Sequence, residues 1–77
     1  MINLLDFSKK LKEIRKSKGF TQKQISDILE MHTNSYQQIE YGKTKPSLDT
    51  IFNISNFFDV SVDYLLGRTD NPNSHKL

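Results

Sequence analysis

Residues 21–39 read TQKQISDILEMHTNSYQQI, and this stretch decides the fold. Ile25, Ile28 and Leu29 recur at helical spacing and give one buried stripe. Thr21 is a good N-cap for that helix. Gln24, three residues on, can return a hydrogen bond to Thr21 and complete a capping box. The helix should end near Leu29 or Glu30. His32 or Thr33 can cap the next one, which turns Tyr36 and Ile39 inward and ends around Glu40 or Tyr41, where Gly42 stops it. Its other side is densely polar: Thr33, Asn34, Ser35, Gln37 and Gln38.

The flanking sequence reads as scaffold for this pair. Leu4, Phe7, Leu11 and Ile14 are spaced by three and four, which predicts a helix from near Asp6 to Lys18. Gly19 then breaks it, because glycine accepts the left-handed conformation without a Cβ clash. After residue 41, GKTKPS is a loop by composition; Pro46 disfavours helix at Lys45, and Ser47 caps the next helix. Leu48, Ile51, Ile54, Ser55 and Phe58 form the inner stripe of this fourth helix, with Phe52 and Phe57 beside it. Asp59 and Val60 make a tight link. Ser61 caps a fifth helix that carries Val62, Leu65 and Leu66 and stops at Gly67. There is no confident strand pattern and no repeat. The expectation is an all-α bundle of five short helices, one domain over residues 1–67, with residues 68–77 a polar, flexible tail or the start of a linker.

A chain of 77 residues forms one small domain that buries only about 60% of its extended surface. It has no Cys, so neither a disulfide nor a Cys/His metal site supports it. Absence of Cys fits the cytosol. No apolar run approaches the roughly 18 residues of a membrane span, and the lysine-rich opening MINLLDFSKK does not suit a signal peptide. Net charge is only +2, but it is unevenly spread. Residues 9–45 hold nine Lys/Arg against Glu13, Asp27, Glu30 and Glu40; residues 46–77 hold Arg68 and Lys76 against Asp49, Asp59, Asp63 and Asp70. The basic half is the half that carries the polar helix pair, which suggests an anionic partner for one face. A lysine-rich first helix is also what a plain solvated face looks like.

Enzyme chemistry finds no support. His32 and His75 are far apart, no spacing suits a metal, no nucleophilic triad is placed, and there is no Gly-rich nucleotide loop. No cofactor is implied. Asn53-Ile54-Ser55 matches a glycosylation acceptor but falls mid-helix over a buried Ile54. What remains is the layout that a helix-turn-helix requires: one short helix braced across the DNA backbone, and a second with a polar outer face laid in the major groove.

The order of pieces has a family. GFTQKQISDIL (residues 19–29), IEYGKTKPSLDTI (39–51) and FFDVSVDYLLG (57–67) together resemble the DNA-binding domain of the lambdoid phage repressor and Cro family, the XRE-type helix-turn-helix. The resemblance covers about residues 7–67. It implies a lambda-repressor-like five-helix fold and a cytoplasmic regulator of phage or bacterial type that binds double-stranded DNA. It assigns base reading to Thr33, Asn34, Gln37 and Gln38, where amides can grip adenine N6 and N7 and the Thr33 methyl can meet a thymine methyl. DNA backbone contacts are expected from Gln22, Lys23, Ser35, Lys43, Thr44 and Lys45; at Gln22 both the N–H groups of a helix start and an amide can face a phosphate. Lysines after Gly42 would neutralise phosphates and add affinity without sequence information. The chain departs from the family at three positions. Glu30 stands where Gly is usual because the turn often needs positive φ, Ser26 where Ala is usual, and Tyr41 where Asn is frequent.

These residues support two function classes. The first is a transcriptional repressor or similar regulator that binds a palindromic operator as a homodimer through Phe57 and Tyr64, aromatics beyond what a five-helix core requires. The second is a protein-interaction module, such as an antitoxin or a regulator subunit, on the same fold. The chain reads either as a complete Cro-like regulator or as the DNA-binding domain of a longer repressor.

Overall fold

Four of the five helices begin where a short polar side chain caps them, and all end where the backbone turns left-handed. The computed structural model describes residues 3–73. It contains α1 (Leu4–Ser17), α2 (Gln22–Ile28), α3 (Thr33–Glu40), α4 (Leu48–Phe58) and α5 (Val62–Leu65), and no strand among those residues. The all-α, five-helix expectation holds. The capping box predicted at α2 is complete: Gln24 N–H donates to Thr21 Oγ1 at 3.0 Å, and Thr21 N–H donates to Gln24 Oε1 at 2.8 Å. Ser47 and Ser61 cap α4 and α5 as expected, accepting from Thr50 and Tyr64 N–H.

One boundary moves, and one expected cap works without its side chain. α1 starts at Leu4, ahead of Asp6, because Asn3 Oδ1 accepts from the N–H groups of both Leu5 and Asp6 and so satisfies donors the helix start would otherwise leave free. α3 is capped by His32 in backbone geometry only; no side chain closes that end.

The helix ends share one device. At Gly19, Glu30, Gly42 and Gly67 the backbone is left-handed, and the two N–H groups just past each helix fold back onto its last carbonyls. For α3, Gly42 N–H donates to Ile39 O at 3.1 Å and Lys43 N–H to Gln38 O at 2.9 Å. Asp59, at φ 58, closes α4 in the same left-handed region. Glu30 reaches φ 56. The turn geometry usual with glycine is therefore kept by a residue that has a Cβ.

The core is built from Phe7, Leu11 and Ile14 of α1, Ile25 of α2, Tyr36 and Ile39 of α3, Ile51, Ile54 and Phe58 of α4, and Leu65 of α5. α2 packs on α3, α1 packs on α3 and α5, and α4 packs on α5. Two residues expected in the buried stripes are exposed. Ile28 is 44% exposed and Leu48 66% exposed. At 3.6 residues per turn, Leu29 stands about 40° from Ile25 and Ile28 about 60° away on the other side; the core lies on the Leu29 side. Leu48 is the first residue of α4, before that helix has entered the core. Beyond Gly67, Arg68 N–H donates to Asp63 O and Ser61 N–H to Pro72 O at 2.7 Å, so residues 68–72 fold back along α5. The last part of the expected tail, residues 74–77, lies outside the described residues.

Candidate nucleic-acid interface

α2 and α3 are joined by residues 29–32, and a hydroxyl pair fixes how they meet. Ser26 is fully buried; its Oγ donates to Lys23 O at 2.8 Å and lies 3.1 Å from Thr33 Oγ1. A small side chain is needed where two helices approach this closely, and Ser adds a polar link that Ala could not. Thr33 is thereby tied to α2 at the start of α3, and Tyr36 and Ile39 bury the opposite face.

The remaining polar residues of α3 divide by surroundings. Asn34 and Ser35 are exposed, while Gln37 and Gln38 are half-buried. Gln37 Nε2 donates to Gln22 Oε1 at 3.0 Å. Gln22 Nε2 in turn donates to Glu40 Oε1 at 3.2 Å. The structure thus joins Gln22, expected at the DNA backbone, to Gln37, expected at the bases. Lys23 is exposed on α2 and pairs with Asp27 one turn on, at 3.3 Å, a surface contact of little energetic weight. Lys43, Thr44 and Lys45 are exposed just past the end of α3. Gln38 O accepts from both the Lys43 and the Thr44 N–H, so the lysine loop is held to the helix it flanks.

Beneath this face lies a charge pair that the sequence motifs do not single out. Arg15 Nε and Nη2 donate to Glu40 Oε2 and Oε1 at 2.9 and 2.7 Å, and Arg15 Nη1 donates to Phe20 O at 2.8 Å. Burial by itself would raise the Glu40 carboxyl. The bonds from Arg15, the neighbouring Tyr36 hydroxyl and the bond from Gln22 outweigh it and hold the group below its ordinary range. The bond to Glu40, against some desolvation, raises the Arg15 guanidinium further. Burial, with the adjacent carboxylate, pushes the Tyr36 phenol well up; its oxygen sits beside the pair without completing a hydrogen bond of good geometry. A signal for the pair did exist. Arg15 stands four residues after Leu11 and Glu40 four after Tyr36, so helical spacing puts both on inward faces.

Phe57 and Tyr64 occupy different settings. Phe57 is 39% exposed; its ring meets Phe20 and Phe58 edge-on, with centroids 5.3 and 5.1 Å away. With Ile28, Leu29, Glu30 and Asn53 it lines an open cleft to which α3 contributes no residue. Tyr64 is half-buried against the core, with Lys10 Nζ 4.6 Å from its ring centre, a cation–π contact. Among the described residues there is no group of three or more His, Cys, Asp or Glu that could hold a metal ion, and no helix is long and apolar enough to cross a membrane.

This geometry, a capped α2 braced by a hydroxyl pair against a polar-faced α3, is that of a helix-turn-helix, and the comparisons agree. The helix-turn-helix family profile matches residues 11–65. The HTH-type transcriptional regulator ImmR of Bacillus subtilis is 36% identical over 66 residues, which are 86% of this chain and 52% of that protein. The SPbeta prophage-derived uncharacterized HTH-type transcriptional regulator YonR, from the same organism, is 40% identical over 63 residues, 82% of this chain and 58% of that protein. A transcriptional regulator from Listeria innocua superposes with a TM-score of 0.75 at 28% identity, over 79% of this chain and 57% of that one. The restriction-modification controller protein C.AhdI from Aeromonas hydrophila superposes with a TM-score of 0.74 over 80% of this chain and 94% of that one; at 24% identity the likeness speaks for the fold alone. The chain belongs to the XRE-type helix-turn-helix family, whose members are transcriptional regulators rather than enzymes. It spans about half the length of the curated relatives it matches.

Proposed function

We propose that this domain is the DNA-reading part of a bacterial or phage-encoded cytoplasmic repressor, and that it binds a palindromic operator as a homodimer. The observation that carries the reading is the division of α3. Tyr36 and Ile39 are buried while Asn34 and Ser35 face solvent, and the exposed Lys43 and Thr44 are tethered to the helix end, with Lys45 exposed beside them. In this reading α3 lies in the major groove with Thr33, Asn34, Gln37 and Gln38 at base edges. Gln22, Lys23, Ser35, Lys43, Thr44 and Lys45 meet the sugar–phosphate backbone on either side. The first turn of α2, with its N–H groups and the Gln22 amide, suits a phosphate.

Two-fold pairing would present two α3 helices to half-sites about one helical turn, roughly 34 Å, apart. The exposed Phe57 and its neighbour Ile28 supply an apolar surface for it, and none of the residues lining that cleft is on α3. Tyr64 belongs to the same proposal as a contact at the α5 side. The exposed Phe57 and Ile28 also favour a second reading, in which the cleft takes a different protein and the domain is an interaction module such as an antitoxin.

Selection of bound sequences from a random DNA pool tests the proposal. Recovery of a short inverted repeat supports it. Absence of binding, even weak binding at low salt, would leave the interaction module.

A further inference from the structure

The chain of amides between the core and α3 has a direction. Glu40 is buried, and both of its oxygens accept from Arg15. An ionised carboxylate accepts hydrogen bonds and cannot donate. The Gln22 amide that meets Glu40 must therefore present its NH2 there, 3.2 Å from Oε1. The carbonyl end of Gln22 is left to face Gln37, and only the Gln37 NH2 can answer it, at 3.0 Å. One N–H of Gln37 is used in this way; its carbonyl oxygen and second N–H remain. Exchanging N and O on Gln37 would set carbonyl against carbonyl. Exchanging them on both glutamines would set the Gln22 carbonyl against the Glu40 carboxylate. A glutamine on a bare helix can turn either end to a ligand; the orientation of this one is fixed.

We infer that Glu40 is a positioning residue for base recognition: acting through Gln22, it fixes Gln37 so that a carbonyl acceptor is offered to the major groove. The free carbonyl of Gln37 then favours a base that carries a donor there, adenine through N6 or cytosine through N4. Adenine is preferred, because its N7 can also accept the second N–H. Guanine and thymine present only acceptors at those positions; they could take the second N–H but would leave the carbonyl facing an acceptor, and so are disfavoured. The inference rests on the DNA-reading function proposed above.

The test is sequence selection from random DNA with the parent chain and with Gln37→Ala, Gln22→Met and Glu40→Gln. Gln37→Ala identifies the base position that Gln37 reads, by loss of preference there alone. That position should carry adenine, or failing that cytosine, in the parent. Gln22→Met leaves Arg15 and Glu40 paired but cuts the relay. It should reduce the preference at that position by about tenfold, the scale of one good base contact, while any lost phosphate contact lowers all sequences alike. Glu40→Gln lets the relay run either way and should admit guanine or thymine at the same position. If Glu40→Gln does not fold, Gln22→Met carries the test.

A second readout needs no DNA. In the free parent chain the Gln37 side-chain NH2 should exchange with water more slowly than in Gln22→Met, as measured by nuclear magnetic resonance. Equal exchange in the two overturns the inference. So does guanine or thymine at the Gln37 position of the parent, a preference that survives Gln22→Met, or a selected operator in which no position depends on Gln37. In each of these cases DNA binding itself still stands. A parent chain that selects no DNA overturns both readings.

Discussion

Glu40, the last residue of α3, receives both a 2.9 Å and a 2.7 Å hydrogen bond from Arg15 of α1, and the carboxylate side chain is wholly buried. The pair spans 25 residues of sequence and bolts the polar-faced helix to the first helix of the bundle. Buried pairs of this kind need not add net stability over an apolar replacement, but breaking one strands a charge. Loss of one partner should cost about 3–5 kcal/mol, a large share of what a domain of this size holds.

Stability should fall in acid through this pair. Glu40 titrates lower when folded than when unfolded, so its contribution is present above the unfolded carboxyl value of about 4.3. That contribution is lost as the pH drops through the lower folded value. Urea midpoints at several pH values between 7 and 3 should decline more steeply for the parent chain than for the double variant Arg15→Met/Glu40→Met. Parallel declines would show that other carboxylates set the acid limit.

Two glycines with the same backbone sign should respond differently to alanine. Gly42 (φ +77) would place a Cβ 3.1 Å from Leu5 Cδ2 and 3.3 Å from Ser8 Oγ, whereas Gly19 (φ +79) has nothing within 4 Å. Both substitutions carry the left-handed cost, about 1–2 kcal/mol, and Gly42→Ala adds a steric one. Thermal melts should rank parent, Gly19→Ala and Gly42→Ala in falling order. Gly42→Ala should also weaken DNA binding, because the Lys43 loop hangs from that turn. Equal melts would mean that Leu5 yields freely.

Lysine and glutamine on the same face should fail in different ways. Lys43→Ala should weaken binding to specific and random DNA alike and lower the salt slope by about 1. Gln38→Ala should cost about 1–3 kcal/mol on the best operator and much less on random DNA. Fluorescence anisotropy at a series of salt concentrations separates them. A changed sequence preference in Lys43→Ala with the slope intact would reassign that residue to the bases.

A charge at the cleft should split the proposed dimer without unfolding the subunit. Phe57→Glu puts a carboxylate where an apolar contact is expected, and burying it unpaired costs several kcal/mol. Phe57 is 39% exposed, so helical content by circular dichroism should survive while sedimentation shifts to monomer. Parent protein that stays monomeric at high concentration and on DNA would end the proposal. An unfolded variant would place Phe57 in the core, through its contacts with Phe20 and Phe58.

The local part of this structure was legible in the sequence. Thr21 with Gln24, Ser47 and Ser61 announced the helix starts, Gly19, Gly42 and Gly67 the stops, and Tyr36 and Ile39 the inward face of α3. All of these depend on interactions within about four residues, where spacing along the chain is spacing in space. The motif order at residues 19–29, 39–51 and 57–67 carried the family as well. Only the tertiary structure decided the rest. Spacing allowed Ile28 and Leu29 alike into the stripe, and packing against the core chose Leu29. Arg15 and Glu40 each bore the mark of an inward position, but nothing along the chain said that they face each other. The Glu40–Gln22–Gln37 relay depends on the same meeting. Its residues come from two helices, and a hydrogen bond between helices exists only once the core has set the distance between them.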